Sequence, residues 1–448
     1  MTGTNPKRDG LIFILLGSVG FVVLGLWLLL AGYGKLSTPD FRFAYTSARC
    51  LMHQRDPYNS DDLMRTYYEE TGGEQARNDY ERLILDFESR YIYFPTTFAV
   101  TVPLALLPYE IAQTVWVFAI AAGFILSALL MWDLACAQTP LIAGALLGFY
   151  LVNTVNYISL GNPVGIAVSF CIIAVWCFLR NRFVPAGILC MAISLLLKPH
   201  DSAFVFAYFL VAGGVLLKRA LQTLALAAAW VLPVVAWVTF VSPHWLREIH
   251  SNIAAILSHG GIDDQGPLGV LGRGAAMITD LQSIFGIFRD DPHFYNSASY
   301  AVCAVLLLIW VKLSLGSSTN PERSLFLLAA ISAITMLPFY HRQYDARLIM
   351  LTLPAAMLLW SRRGRLGKIA LVLSVVGFAL TADLVWVTYL FVVTRLGLGA
   401  TGLSGTVHIA ILATPLPLLL LATAVFYLHA ASLSNAEPHK LAGGPQQA

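Results

Sequence analysis

Charge is what this 448-residue chain has least of: Asp, Glu, Lys and Arg together make up 12% of it, about half the usual share of a soluble protein. Hydrophobic residues make up 58%, more than a water-soluble globule can hide. A string of soluble domains is excluded, and the composition reads as a polytopic membrane protein. The net charge of +3 gives no footing for a nucleic-acid partner. Six scattered cysteines form no CxxC pair, so neither a structural zinc site nor a cystine framework is indicated. No HExxH, EF-hand loop or Walker A sequence occurs. The Gly-rich stretch 266–274 follows no strand of a βαβ unit, so it is not a dinucleotide fingerprint. Neither a tandem repeat nor a two-half symmetry stands out.

What is present is a series of apolar runs near the length of about 20 residues that a spanning helix needs. They lie at about 11–31, 111–131, 141–158, 164–179, 184–199, 201–217, 221–242, 299–315, 324–340, 346–360, 368–394 and 407–430. The expected fold is all-α, a single polytopic domain over 1–430 with about twelve spans. Two large outer loops, 35–92 and 243–298, and a polar, disordered cytoplasmic tail, 431–448, complete it. The first run follows Lys7 and Arg8, exceeds a secretory h-region and lacks a cleavage site, so it reads as a retained anchor. With the N-terminus inside, the short inner turns collect Arg180, Arg182, Lys218, Arg219, Lys312, Arg323 and the Arg362–Lys368 cluster. That asymmetry places both termini in the cytoplasm. Residues 93–108 are apolar but short and carry Pro95, Pro103 and Pro108, so they read as a dipping element that does not cross.

In this topology the polar clusters open on one face: Thr38-Pro39-Asp40, Gly161-Asn162-Pro163, Lys198-Pro199-His200-Asp201 and His341-Arg342-Gln343-Tyr344-Asp345. A membrane enzyme acting on a lipid-anchored substrate needs such a one-sided floor. A transporter needs polar groups near mid-membrane. Asp40 has two readings. It, or Thr38, can cap a following helix with Pro39 in its first turn, or it can be a catalytic carboxylate. That helix should carry Phe41, Tyr45 and Ala48 on one face and stop near Asp56, ahead of Pro57. Lys198 at a helix end is either a dipole-stabilised, snorkelling cation or an anion ligand beside His200. Asp383, inside the 368–394 run, is either functional or satisfied by a neighbouring helix.

The order of these segments resembles glycosyltransferase family 87 of the GT-C superfamily. The carrying residues run from Asp40-Phe41 through Ala48-Arg49 to Asp56-Pro57-Tyr58. They continue with Tyr91-Ile92-Tyr93-Phe94-Pro95, Pro103 to Pro108, Gly161-Asn162, Ala186-Gly187, Lys198-Pro199, His341 and Tyr344-Asp345, over most of 38–355. Asp264-Gln265-Gly266 stands where relatives often show Asn-Gln-Ser, and Phe94-Pro95 replaces a double proline. The resemblance implies an inverting glycosyltransferase of the cytoplasmic membrane with its site on the extracytoplasmic face. It implies transfer of a sugar, mannose first, from a polyprenyl phosphate to a hydroxyl of a glycolipid or polysaccharide, in contact with membrane lipid. Asp40 is then the catalytic carboxylate, and Lys198, His200, His341 and Arg342 are candidates for the donor phosphate. Tyr45, Arg49, Tyr58, Tyr93, Asn162, Gln265 and Tyr344 are candidates for substrate contact.

The chemistry fits these residue types. One carboxylate within hydrogen-bond reach suffices as general base for an attacking hydroxyl, and cations or proton donors stabilise a single leaving phosphate. Transfer without a cofactor or metal is expected, the lipid-linked donor being a co-substrate. A secondary transporter or lipid-linked sugar flippase is the rival reading.

Overall fold

Inside a bilayer no water is available to the backbone, so long apolar runs close their own hydrogen bonds as helices. The computed structural model describes residues 5–32, 38–73, 79–258, 263–266, 278–396 and 413–434, with single positions at 405, 407 and 411. Of the expected disordered tail 431–448, residues 431–433 instead close the last helix, and those beyond 434, like the glycines at 269–274, lie outside the described residues. Among those described, the only β pairing is an isolated bridge between Ile278 and Arg342.

Helix α1 (Pro6–Gly32) leads to four short helices: α2 (Pro39–Met52), α3 (Ser60–Thr71), α4 (Asp79–Glu88) and α5 (Phe98–Ala105). Next come α6 (Tyr109–Ala135), α7 (Pro140–Val152), α8 (Asn156–Leu160), α9 (Val164–Arg180), α10 (Val184–Leu197) and α11 (Pro199–Ala212). After α12 (Gly214–Val241) and α13 (Trp245–Ile256) come α14 (Gln282–Phe288), α15 (Pro292–Ser314) and α16 (Pro321–Ile334). The chain then passes through α17 (Thr352–Ser361), α18 (Arg365–Thr381), α19 (Asp383–Leu396) and α20 (Pro415–Leu433).

Among the described residues, six helical stretches are long and apolar enough to cross a membrane, as expected of a multi-pass membrane protein. They are Pro6–Leu30, Tyr109–Ala135, Pro140–Leu160, Gly214–Val241, Pro292–Ser314 and Pro415–Leu433. The pair α18 and α19, bent by 61°, makes a seventh when counted as one. Among the described residues, twelve spans are therefore not confirmed. The runs at 184–199, 201–217 and 324–340 form helices of 14 residues, about 21 Å at 1.5 Å per residue, against a hydrocarbon core of about 30 Å. The 346–360 run begins as a 3-10 turn over Asp345–Leu351. Helices α9 and α16 are buried over most of their length, so their apolar faces meet protein. Run length alone does not separate such an interior helix from a span. Pro95–Ala105 is an apolar helical stretch of about 16 Å, too short to cross.

The first anchor packs on α7 backbone to backbone. Gly144 and Gly148 on α7 face Gly10, Phe13 and Gly17 on α1. A Cβ on Gly148 would lie 2.3 Å from the Phe13 carbonyl oxygen, and one on Gly144 2.2 Å from that of Gly10. Small residues at this spacing let two helices approach without a hydrophobic driving force.

Asp383 begins α19 at the bend. Its carboxylate accepts from Arg347 at 2.6 Å and from the Asn156 N–H at 3.0 Å, while its own N–H donates to the Asn153 carbonyl at 2.6 Å. Of the two readings of Asp383, satisfaction by its neighbours is the one the contacts describe.

Candidate functional site

Helix α2 begins at Pro39, with Pro in the first turn as expected, but no side chain caps it. Thr38 takes a left-handed backbone, φ 54°, and its hydroxyl accepts from Gln113 at 2.9 Å. It is wedged against Gly161, itself left-handed at φ 64°, where a Cβ would sit 2.6 Å from the Thr38 Cβ. The helix ends at Met52, earlier than Asp56. Gln54 turns the chain at φ 58°, and the Asp56 carboxylate accepts the Tyr58 N–H at 2.9 Å around Pro57. Phe41 and Tyr45 do share a face, with ring centroids 6.2 Å apart.

Freed from capping, Asp40 faces Asn162. The Asn162 amide donates to the Asp40 carboxylate, and its carbonyl oxygen accepts the Val164 N–H at 2.9 Å. That second bond fixes which end of the amide meets Asp40. Asp40 is half-buried on a cavity of about 680 Å³ that Asn162, Lys198, His200, Arg342, Tyr93, Gln265 and Tyr344 also line. Eight of the twelve residues singled out in the sequence therefore meet around one space.

The cations there are held by acids. Lys198, at the junction of α10 and α11, is buried against Asp345, with Asp201 Oδ2 3.6 Å from its Nζ. Asp345 also accepts the Arg342 N–H at 2.7 Å, so one carboxylate bridges Lys198 to the turn that carries Arg342. The Arg342 guanidinium pairs with Asp263. The Tyr344 ring lies 5.6 Å from the Lys198 ammonium. Gln265 donates to Asp280 at 2.8 Å. Burial pushes the Asp280 carboxyl up to about 7, opposed by the Gln265 and Ser283 hydrogen bonds.

A second carboxyl group, Glu88 at the end of α4, hydrogen-bonds Asp40 in the same cavity. Burial, and then the charge of Asp40, raise the Glu88 carboxyl well above the usual range. Burial also raises Asp40, but the Asn162 amide, the Arg342 charge and the Glu88 hydrogen bond hold it down. Glu88 thus keeps its proton more readily, and Asp40 is the more available base of the pair.

Four candidates lie elsewhere. His341 is fully buried behind the cavity wall, Nε2 3.2 Å from Asp201 Oδ1 and its ring centroid 5.1 Å from that of His200. Its Nδ1 faces the Phe339 carbonyl at 2.9 Å and so carries a proton. Burial opposes a charge on this imidazole, but Asp201, by hydrogen bond and by charge, raises it above its ordinary value. Tyr58 is buried among Tyr91, Phe98 and Trp245, its hydroxyl donating to the Tyr93 carbonyl at 3.0 Å. It supports the wall that presents Tyr93. Tyr45 and Arg49 line a separate cavity of about 380 Å³ on another side of α2. Tyr45 donates there to the Leu107 carbonyl at 2.9 Å, and Arg49 to Glu70 at 2.8 Å.

Three side chains, His200, Asp201 and His341, bring ligand atoms within 4.8 Å of one another. Two imidazoles and a carboxylate suit a divalent transition metal, but the Lys198 ammonium already places positive charge at Asp201. Sequence reasoning missed Glu88, which sits in an unremarkable Phe87-Glu88-Ser89 segment, and Asp263, since no local pattern marks either. Asp201 and Asp345 were visible within the polar clusters, but only folding shows that they hold the site's cations. Compared with known proteins, the chain matches no family model, no curated protein and no solved structure.

Proposed function

We propose that this chain is an integral-membrane glycosyltransferase that moves a sugar from a polyprenyl phosphate to a hydroxyl of a glycolipid or polysaccharide, inverting the anomeric carbon. The observation that carries this reading is the meeting of Asp40, from just after α1, with Lys198 and Arg342, from two distant turns, around one cavity. Asp40 accepts the proton of the acceptor hydroxyl as its oxygen bonds the anomeric carbon. The bond from that carbon to the phosphate oxygen breaks, and the electron pair leaves with the polyprenyl phosphate. Lys198 and Arg342 face the charge that grows on it. His341, buried and paired to Asp201, positions this wall without touching substrate. Holding donor and acceptor in one cavity supplies the proximity term.

Mannose is the first sugar to test, and the proposed site is on the outer face of the cytoplasmic membrane, a reading supported by the order of motifs that resembles family 87. The proposed transfer uses protein cations and no metal. The transporter alternative needs an available intramembrane charge, and Asp383 is instead committed to Arg347.

The test is purified protein in lipid nanodiscs, incubated with polyprenyl-phosphate sugars and membrane glycolipid extracts. A new glycolipid seen by mass spectrometry, absent with Asp40→Asn and unchanged by chelator, is the expected result. Product formation by Asp40→Asn at the wild-type rate overturns the assignment of the base. Loss in chelator with recovery on Mn²⁺ moves the chemistry to the His200–Asp201–His341 cluster.

A further inference from the structure

The second cavity beside α2 has no part in the proposed transfer. Arg42, Tyr45 and Arg49 reach it from one stripe of the helix, at three- and four-residue spacing. The Leu106–Glu110 turn between α5 and α6 forms the facing wall.

Arg42 is only 8% exposed. The other buried arginines have conventional partners: Arg347 meets Asp383, and Arg219 donates to the Phe178 carbonyl and to Asn181. Arg42 instead stacks 3.8 Å from the centroid of the Tyr109 ring, with Tyr67 at 5.9 Å; it has a side-chain hydrogen bond with Tyr109 but no paired carboxylate among the described residues, and its Nε has no hydrogen-bond partner. Glu70, the acid in the same wall, is committed to Arg49. A guanidinium removed from water without a counter-anion is costly. Here it opens onto a cavity wide enough to admit an anion.

The rim shows where that anion comes from. Leu106 is 69% exposed and Leu107 37% exposed at the foot of α6, a helix long and apolar enough to cross the membrane. Exposed leucines beside a buried arginine fit a molecule with an acyl chain and an anionic head. We propose that this cavity binds the phosphate of an anionic membrane lipid, with Arg42 as the buried cation that receives it. A planar guanidinium matches phosphate oxygens two at a time, which an ammonium does not. Glu110, exposed at the rim, opposes the same charge.

The experiment is native mass spectrometry of the full chain in neutral detergent. It is titrated separately with dioleoyl phosphatidylglycerol, with dioleoylglycerol, which lacks the phosphate, and with inorganic phosphate as competitor. Wild type should retain the phospholipid about tenfold better than dioleoylglycerol, a charge-assisted hydrogen bond's worth of discrimination. Arg42→Gln should erase that preference, Arg42→Lys should keep part of it, and Glu110→Gln should strengthen it. Equal retention of both lipids by wild type overturns the proposal, as does an undiminished preference in folded Arg42→Gln. Should Arg42→Gln fail to fold, Glu110→Gln decides: no gain, or a loss, counts against the site. Inorganic phosphate displacing the lipid at equal concentration would reassign the cavity to a soluble phosphate and overturn the lipid as its source.

Discussion

Asn162 holds Asp40 with one end of its side chain and the start of α9 with the other. The residues are 122 positions apart, so this single amide ties the carboxylate to the helix bundle. Asp40→Asn keeps the shape of the acid and removes the base, and should lower transfer by about 10²- to 10⁴-fold with the fold intact. Asn162→Ala should cost about 1 kcal/mol through the lost Val164 contact and slow transfer through the misplaced carboxylate. Asn162→Asp keeps that contact and turns the donor to Asp40 into an acceptor. It should be the more stable of the two in thermal unfolding and still impaired in transfer.

The two carboxyl groups predict a pH signature. Asp40 works ionised, and its carboxyl is raised by burial, so activity is lost as pH falls through that raised value. The Glu88 hydrogen bond holds the value down. Glu88→Ala should therefore move the acidic limb of the pH–rate profile to higher pH, while Glu88→Gln, which still donates, should leave it nearer to wild type. An acidic limb in the same place for all three proteins would remove Glu88 from the site.

At the bend between α18 and α19, Arg347 is fully buried and Asp383 nearly so. Removing one partner strands the other, so Arg347→Met should cost about 3–5 kcal/mol. Adding Asp383→Leu should restore much of the loss, a non-additivity that a double-mutant cycle in detergent unfolding reads directly. Simple additivity of the two substitutions would mean that the charges do not act as a pair.

Gly148→Val forces a side chain into the backbone of α1. Overpacking of this kind costs about 1–3 kcal/mol. The expected result is a lower unfolding temperature and weaker cross-linking between cysteines placed on α1 and α7. An unchanged cross-linking pattern would show that the helices do not approach as closely as described.

The sequence made the long helices plain, because α1, α6, α12, α15 and α20 carry enough apolar residues to be read by length. It did not reveal that α9 and α16 are buried in protein over most of their length, or that α10 and α11 are only 14 residues long, since burial in protein and burial in lipid select the same side chains. Asp40, Asn162 and Lys198 were legible as polar groups beside Pro or Gly at the ends of apolar runs, and Arg342 as part of a dense polar turn between two of them. Glu88 was not, because only tertiary folding brings α4 to Asp40. The separation of Tyr45 and Arg49 from Asp40 follows from the turn of one helix: residues on α2 that are neighbours in sequence face different cavities.

The glycine contact of α1 with α7 reaches further than its own stability. The segment after α1 carries Asp40, and α7 leads through α8 to Asn162. Asp40 and Asn162 thus follow, in the chain, two helices that are spaced by bare backbone with no side chain to give way. A methyl group added deep among the helices would be felt at the proton-accepting oxygen as lost alignment, with every atom of the reaction chamber chemically unaltered.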